Sequence, residues 1–484
     1  MNLKATSIHE ISVASPPPVT GERSTLYFNQ SIVLLALGSL IQVVAYGNIQ
    51  PVLIGMIFFF AGLGVLRLPA LGGLFERRAF QLIFAVCFFW AGVAAIYRIY
   101  FNDYGQNYLD AWSFYRLASG YASGSLIDDL RQMTEGSGAV LLWRFFYDFF
   151  AVLGFEKGPF VGISVNTCMV AMTAVIGVKI VKTVFGSDAP RLKRFILLFS
   201  FCGLFWEFAA IHLRDASILF AISVLVLFWT RFTSIPNTFN FLWLVIATLS
   251  GFVIFGFLRR EFFFVPLAMM AAGLAAMALD SSTKRKHQVL IYVLFGLFSA
   301  VFAYLLIEFQ SGLFNALTGG YKGYTQHSER THGADSLGMR FIINAPFPVR
   351  LLFGSVYLLV FPIPLWSGFQ FESANQLFKS FQALFMYGLI PLLALTAWML
   401  ARRKELRTAP LLFMLFLFFG FTLSIAATSL ETRHFGAFLV SILALAVLPD
   451  LADWDVKRAY KRLLAAFLSM MLLIHGIWIV LKVL

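Results

Sequence analysis

The chain has 484 residues, of which 60% are hydrophobic and 13% charged, and its mean hydropathy is +0.81. A soluble domain carries about 25% charged residues, so this chain has too little charge to cover a water-facing surface, and a soluble enzyme is excluded. The formal charge of +13 would suggest nucleic acid in a soluble protein, but here it has first to be divided between the two sides of a bilayer.

Residues 1–28, with Pro16, Pro17 and Pro18 amid Ser and Thr, predict a disordered cytoplasmic tail without a signal-peptide pattern. Residues 29–484 read as one transmembrane domain. A bilayer span needs about 20 largely apolar residues. Such runs centre on 31–47, 50–66, 80–97, 159–179, 195–211, 216–230, 240–258, 262–279, 289–307, 381–400, 410–427, 435–448 and 463–481. The expected fold is an all-α polytopic bundle of about thirteen crossings. Two further apolar segments are read as interfacial or re-entrant helices: 139–155, which carries Arg144 and Asp148, and 348–365, which is broken by Pro348, Pro362 and Pro364. Counting the second as a full span would place Arg402, Arg403, Lys404 and Arg407 outside, against the preference of basic loops for the cytoplasm.

With the N-terminus inside, the short basic loops share one side: Arg67, Arg77 and Arg78; Lys179 to Arg194; Lys284, Arg285 and Lys286; Arg402 to Arg407; and Lys457 to Arg462. The positive excess is thereby a topology signal that meets anionic lipid, not a nucleic-acid signal. The C-terminus then lies outside. The outer face receives the long segments 98–158 and 308–380 and the turns 212–215, 259–261 and 428–434. Cys87, Cys168 and Cys202 all lie in apolar runs without paired or metal-ligand spacing, which suits packing residues.

The first outer segment mixes carboxylates with aromatics. Asp103 and Asp110 are seven residues apart, so in a helix they share a face at about 10 Å. Either is placed to act as a general base toward a hydroxyl, and either suits a helix cap at an interface. Tyr104, Tyr108, Trp112 and Tyr115 fit sugar-stacking platforms or an interfacial aromatic belt. Further on, His212-Leu-Arg-Asp215, Arg259-Arg-Glu261 and Glu431-Thr-Arg-His434 each put Arg at the outer end of a span. Boundary charges have to be paired, here with Asp215, Glu261 or Glu431, or with an anionic ligand such as phosphate, whose oxygens match guanidinium.

The stretch 308–347 is polar and Gly-rich, as in a loop that covers a site, and holds Tyr321, Tyr324, His327, Arg330, His332 and Asp335. His327 and His332 lack an obvious third ligand and read as solvated. Glu207 and His475 are isolated within spans, and His475 reads as a packing residue. The chain has no phosphate-binding loop, dinucleotide fingerprint or zinc motif.

Three of these segments carry a resemblance. Asp110-Ala-Trp-Ser-Phe-Tyr-Arg-Leu-Ala118 resembles the Asp-Ala-x-x-aromatic pattern of bacterial polytopic glycosyltransferases of the GT-C superfamily, although Phe114-Tyr115 stands where the pattern often has Tyr-His. Leu213-Arg-Asp-Ala-Ser-Ile-Leu-Phe220 is similar to a turn of related proteins of exopolysaccharide and O-antigen assembly, and Glu431-Thr-Arg-His-Phe435 to their late Glu-x-Arg-His/Tyr turn. The resemblance spans about residues 80–450.

It implies a GT-C-like fold in the bacterial inner membrane and an outward-facing site. The enzyme would transfer a sugar from a polyprenyl-phosphate-type donor to a glycan or lipid-linked acceptor in cell-surface polysaccharide synthesis. Asp110, with Asp103 as its rival, would be the general base. Arg214, Arg259, Arg260, Arg433 and His434 would hold the phosphate, and Tyr321, Tyr324 and Arg330 the acceptor. No metal site or certain cofactor is implied, and a divalent metal stays open. Membrane lipid and polysaccharide-assembly proteins are the expected partners, and nucleic acid is not. The alternatives are a repeat-unit polymerase or ligase that uses the same carrier, a lipid or solute transporter, and a membrane acyltransferase that uses His434.

Overall fold

The computed structural model describes residues 22–100, 109–120, 137–280, 296, 342, 345–370, 373–427 and 430–483. Every regular element among the described residues is a helix. In chain order these are α1 (Glu22–Tyr46), α2 (Gln50–Val65), α3 (Leu74–Tyr100), α4 (Leu109–Ser119), α5 (Ser137–Val152) and α6 (Phe160–Phe185). There follow α7 (Ala189–Ser200), α8 (Gly203–Ala210), α9 (Asp215–Ser234), α10 (Thr238–Leu258) and α11 (Val265–Leu279). The last third contains α12 (Phe347–Val360), α13 (Ala374–Arg402), α14 (Ala409–Ala427), α15 (Thr432–Gly436), α16 (Leu439–Ala446) and α17 (Trp454–Val483).

Among the described residues, ten helices are long and apolar enough to cross a membrane. The chain is an all-α polytopic membrane protein: only helices and closed barrels satisfy every backbone polar group within a bilayer. Nine of the ten fall on crossings expected from hydropathy. The tenth is Phe347–Phe369, expected to be interfacial. Pro362 and Pro364 fall beyond the end of α12 at Val360, and a 3₁₀ turn, Leu365–Gln370, follows them, so apolar helical structure continues past the expected break.

The expected crossings at 50–66, 195–211 and 435–448 differ in form. The first is α2, of 16 residues, and the third is divided between the short helices α15 and α16. The second is split into α7 and α8 at Phe201-Cys202, and the break is satisfied from outside. Gln382 Oε1 on α13 accepts the Leu204 N–H at 3.2 Å and the Cys202 thiol at 3.3 Å, providing for donors that a helix start leaves open. Gly203 permits this contact, since a Cβ there would overlap the Phe378 carbonyl. The crossing expected at 289–307 lies outside the described residues apart from residue 296. Helix α1 starts at Glu22, inside the stretch 1–28 expected to be a tail.

The central layer is α3, α6 and α9, each packed on the next, with α1 on the far side of α3 and α10 on the far side of α9. Large rings fill it: Phe80, Phe84 and Phe88 on α3, Phe195 and Phe199 on α7, and Phe205 and Phe208 on α8 are almost wholly buried. Basic loops gather at one end of the bundle. There Lys182 pairs with Glu76, the Lys179 ammonium donates to the Ala70 carbonyl, Arg194 to the Pro449 carbonyl, and the Ala409 N–H to Asp280. The opposite ends of α3, α6 and α9 carry the turns with the candidate site residues. Cys87, Cys168 and Cys202 are free thiols.

Candidate functional site

The turn 211–214 between α8 and α9 is held by buried polar groups. Asn166 on α6 donates from Nδ2 to the carbonyls of Ile211 and Leu213, both at 3.0 Å, while its Oδ1 accepts from Trp143 Nε1 at 3.0 Å. His212 is fully buried against Trp143, with ring centroids 4.1 Å apart, and its Nε2 lies 3.2 Å from the Tyr147 hydroxyl. Gly162 makes room for it, since a Cβ there would overlap the imidazole. Burial pushes the His212 pKa down to about 3, so the ring is a neutral packing group. With this turn fixed, Arg214 leads into α9. Its guanidinium lies over Phe114 of α4 at 5.6 Å and donates to the Leu258 carbonyl at the end of α10 at 3.3 Å.

Helix α4 has two faces. Ala111, Tyr115 and Ala118 are buried, and the Tyr115 hydroxyl donates to the Lys157 carbonyl at 2.9 Å, whereas Asp110 stands outward with 66% of its side chain exposed. Asp110 Oδ2 is 3.8 Å from Arg433 Nη1. Arg433 Nε also donates to the Glu431 carboxylate, and His434 Nε2 is 3.6 Å from the same carboxylate. Leu430, just before this turn, has φ +53°, a left-handed conformation that costs a non-glycine residue roughly 1–2 kcal/mol. Its N–H on the Ile425 carbonyl at 3.0 Å and its buried side chain over Gly354 hold it there. Arg259 follows α10 directly, is 4% exposed, and lies over Phe262 at 5.8 Å; Phe262 meets the His434 ring edge-on.

The charges sort themselves by strength of pairing. Burial opposes ionisation of Glu431, but the adjacent Arg433, with Lys379 adding to it, outweighs it and holds its carboxyl well below the usual carboxylate range. Burial likewise opposes the Arg433 charge, and Glu431 and Asp215, with Asp110 adding to them, hold it firmly protonated. Burial and then the neighbouring Arg259 drive the His434 pKa far down, further helped by Arg433 and Arg214 and only partly offset by Glu431. His434 is thus a neutral imidazole among three guanidinium groups, able to donate one N–H.

The structure therefore brings Asp110, Arg214, Arg259, Arg433 and His434 to one end of the bundle, around Glu431 and Asp215. The backbone of Arg260 opens the 3₁₀ turn Arg260–Phe264, and its side chain lies outside the described residues, as do Asp103, Tyr321, Tyr324, Arg330, His327 and His332. Two charged groups join the cluster without having been assigned to it from the sequence: Glu207, 1% exposed on α8, and Lys379 on α13. His475 lies elsewhere, with Nε2 accepting the Leu365 N–H at 3.0 Å, as a satisfied packing residue would. Among the described residues, no group of three or more His, Cys, Asp and Glu is placed to hold a metal ion.

Beside the cluster, an apolar groove of about 570 Å³ runs between α5, α9 and α10. Ser217 and Leu258 line its upper end, next to Arg214, and Phe228 and Trp243 its lower part. Trp243, Ile246, Ile254 and Phe257 remain partly exposed along it, so the groove opens toward the surface that faces lipid. No known protein family, curated protein or solved structure matches this chain.

Proposed function

We propose that this protein is a membrane glycosyltransferase of the GT-C-like kind, which transfers a sugar from a polyprenyl-phosphate-type donor to a glycan or lipid-linked acceptor. One observation carries the reading: an exposed carboxylate and three guanidinium groups stand together at the head of an apolar groove that opens to lipid. A lipid-linked phosphate needs this pairing of surfaces, cationic for the head and apolar for the tail. A water-soluble nucleotide sugar needs no groove of that kind. In this reading the basic end of the bundle faces the cytoplasm of a bacterial inner membrane, the cluster faces outward, and the whole chain makes about thirteen crossings.

The chemistry follows from the groups present. Asp110 accepts the proton of the acceptor hydroxyl as its oxygen bonds to the anomeric carbon of the donor sugar, while the bond from that carbon to the phosphate oxygen breaks. Arg214, Arg259 and Arg433 offset the charge that develops on the departing phosphate; one such donor is commonly worth about 10²–10³ in rate. His434, neutral, offers an N–H to the same oxygens. Arg260, Tyr321, Tyr324 and Arg330 complete the phosphate and acceptor contacts in this proposal, with Asp103 as the rival base. The test is to purify the protein in lipid, incubate it with polyprenyl-linked sugars and analyse the glycan products, for the parent and for Asp110→Asn. Full product formation by Asp110→Asn at normal expression overturns the assignment of the base.

A further inference from the structure

At the opposite end of the bundle, a pocket of about 240 Å³ is formed where α3 begins and α6 and α9 end. Its chemistry is carried by Ala70, Gly73, Glu76, Lys179, Lys182 and Arg231. The sixteen residues from Asp215 to Arg231 along α9 place it about 24 Å from the proposed catalytic cluster. The two are separate sites.

The pocket holds more cationic than anionic charge. Glu76 is nearly buried and takes Lys182 on both oxygens, at 2.7 and 2.8 Å, so this pair is neutral as a unit. Lys179 is half-buried and its ammonium donates to the neutral Ala70 carbonyl at 3.0 Å, so the one carboxylate of the pocket, Glu76, is shared among more than one cation. Arg231 is exposed, lines the same cavity, and its guanidinium makes no hydrogen bond or ion pair among the described residues. Three cations and one carboxylate thus line one small cavity, an excess of two positive charges. Because like charges there repel, the arrangement favours an anionic occupant that bridges them.

The cavity wall is built to keep this geometry. The turn 66–73 closes on itself: Gly72 donates to the Leu68 carbonyl at 3.0 Å, Arg77 Nε donates to the Leu66 carbonyl at 3.1 Å, and a Cβ at Gly72 would overlap that same carbonyl. At Gly73 a Cβ would come 2.7 Å from Glu76 Oε2. The turn exposes Leu68 and Leu71, the latter lining the pocket, and α3 begins with the exposed Leu74. Apolar side chains next to a cationic pocket at the end of a membrane bundle match a phosphate head whose chains continue into the bilayer.

We infer that this pocket binds a phosphate mono- or diester, held by Lys179 and Arg231 against the turn 69–73. The phosphate is that of a membrane lipid or of a soluble ester, and the two sources are separable by experiment. The full chain is purified in neutral detergent, and the lipid it retains is counted by native mass spectrometry during titration with dioleoylphosphatidylglycerol, with dioleoylphosphatidylcholine, or with inorganic phosphate followed by thermal shift. A basic residue near a membrane contributes about 1 kcal/mol toward an anionic lipid, which is about fivefold in affinity. The phosphatidylglycerol preference is expected to fall about fivefold in Arg231→Gln, and further in Arg231→Gln with Lys179→Gln, and to be retained in Arg231→Lys. Saturable protection by inorganic phosphate alone, lost in the same variants, supports the site with a soluble ester as its occupant. Equal retention of both lipids by the parent with no phosphate effect, or binding indifferent to Arg231 and Lys179, overturns it. Arg231 is exposed, so its substitution tests binding and not folding.

Discussion

Arg433 Nη1 lies 3.8 Å from Asp110 Oδ2, which joins the short helix α4 to the short helix α15 across most of the length of the chain. The contact leaves Asp110 largely exposed, so the carboxylate is oriented by the guanidinium without being enclosed by it. Asp110→Asn keeps the shape and removes the proton acceptor. In the proposed reaction kcat falls by about 10²–10⁴-fold, the usual worth of a general base. The melting temperature stays almost unchanged, because exposed substitutions commonly alter stability by no more than about 0.5 kcal/mol. Product analysis and thermal unfolding on the same preparation check both parts.

Glu431 is the more deeply committed carboxylate. Glu431→Gln removes a charged hydrogen-bond partner of Arg433 and is expected to cost about 2 kcal/mol of stability at pH 7. The Glu431 carboxyl is held below its unfolded value of about 4.3, so its contribution is complete above that pH and is lost as pH falls toward the folded pKa. The stability gap between parent and Glu431→Gln therefore narrows below about pH 4. A gap that widens on acidification contradicts the pairing.

The buried histidines His212 and His434 act in the opposite direction to a stabilising cation. His212 and His434 are neutral in the folded chain and take up protons near pH 6.5 when unfolded. Between that pH and their folded values the unfolded state binds more protons, so stability falls as pH is lowered. For His212 the loss reaches about 2 kcal/mol at pH 5. His212→Gln lowers stability at pH 7 but flattens this part of the profile, which thermal unfolding from pH 7.5 to 5 measures. For the same reason the activity profile carries no limb near pH 6.5 that His434→Gln abolishes.

Much of the cluster was legible because each of its turns carries Arg where an outward-facing span end has no general use for one. Arg214, Arg259 and Arg433 stand out against apolar surroundings, and the structure gathers them with Asp110 and His434. Glu207 and Lys379 were not legible as members. Glu207 reads as a lone charge in a span, and the cations that surround it, Lys379 on α13 and Arg433 on α15, lie on elements that no local pattern connects to α8. The break at Phe201-Cys202 was hidden for a related reason: a split crossing is apolar throughout, and the Gln382 amide that satisfies it lies about 180 residues away. The same distance hides the role of Asn166, a small polar residue in an apolar helix.

Asn166 gives the next prediction. Its side chain satisfies two backbone carbonyls and one indole N–H in a fully buried position. Asn166→Leu leaves all three partners without it, at about 1–3 kcal/mol for each group left unsatisfied. A total loss of about 3–5 kcal/mol is expected, with lowered activity in any folded fraction because the Arg214 turn is released. Asn166→Asp keeps only the acceptor for Trp143 and does not restore the bonds to Ile211 and Leu213. Stability equal to the parent in Asn166→Leu rejects the idea that this residue fixes the turn.

The groove yields a prediction that separates head from tail. Ala247 lines it from α10, partly exposed and remote from every charged group of the cluster. Ala247→Trp fills much of the space while leaving Asp110, Arg214 and Arg433 in place. If the groove receives a polyprenyl chain, KM for a long-chain donor rises about tenfold, the equivalent of about 1.4 kcal/mol of lost apolar contact, or roughly two buried methylenes. A donor truncated to one or two prenyl units, too short to reach Ala247, is turned over as by the parent. Equal changes for both donors mean that the substitution disturbs the cluster itself. No change for either means that the tail runs elsewhere along the bundle.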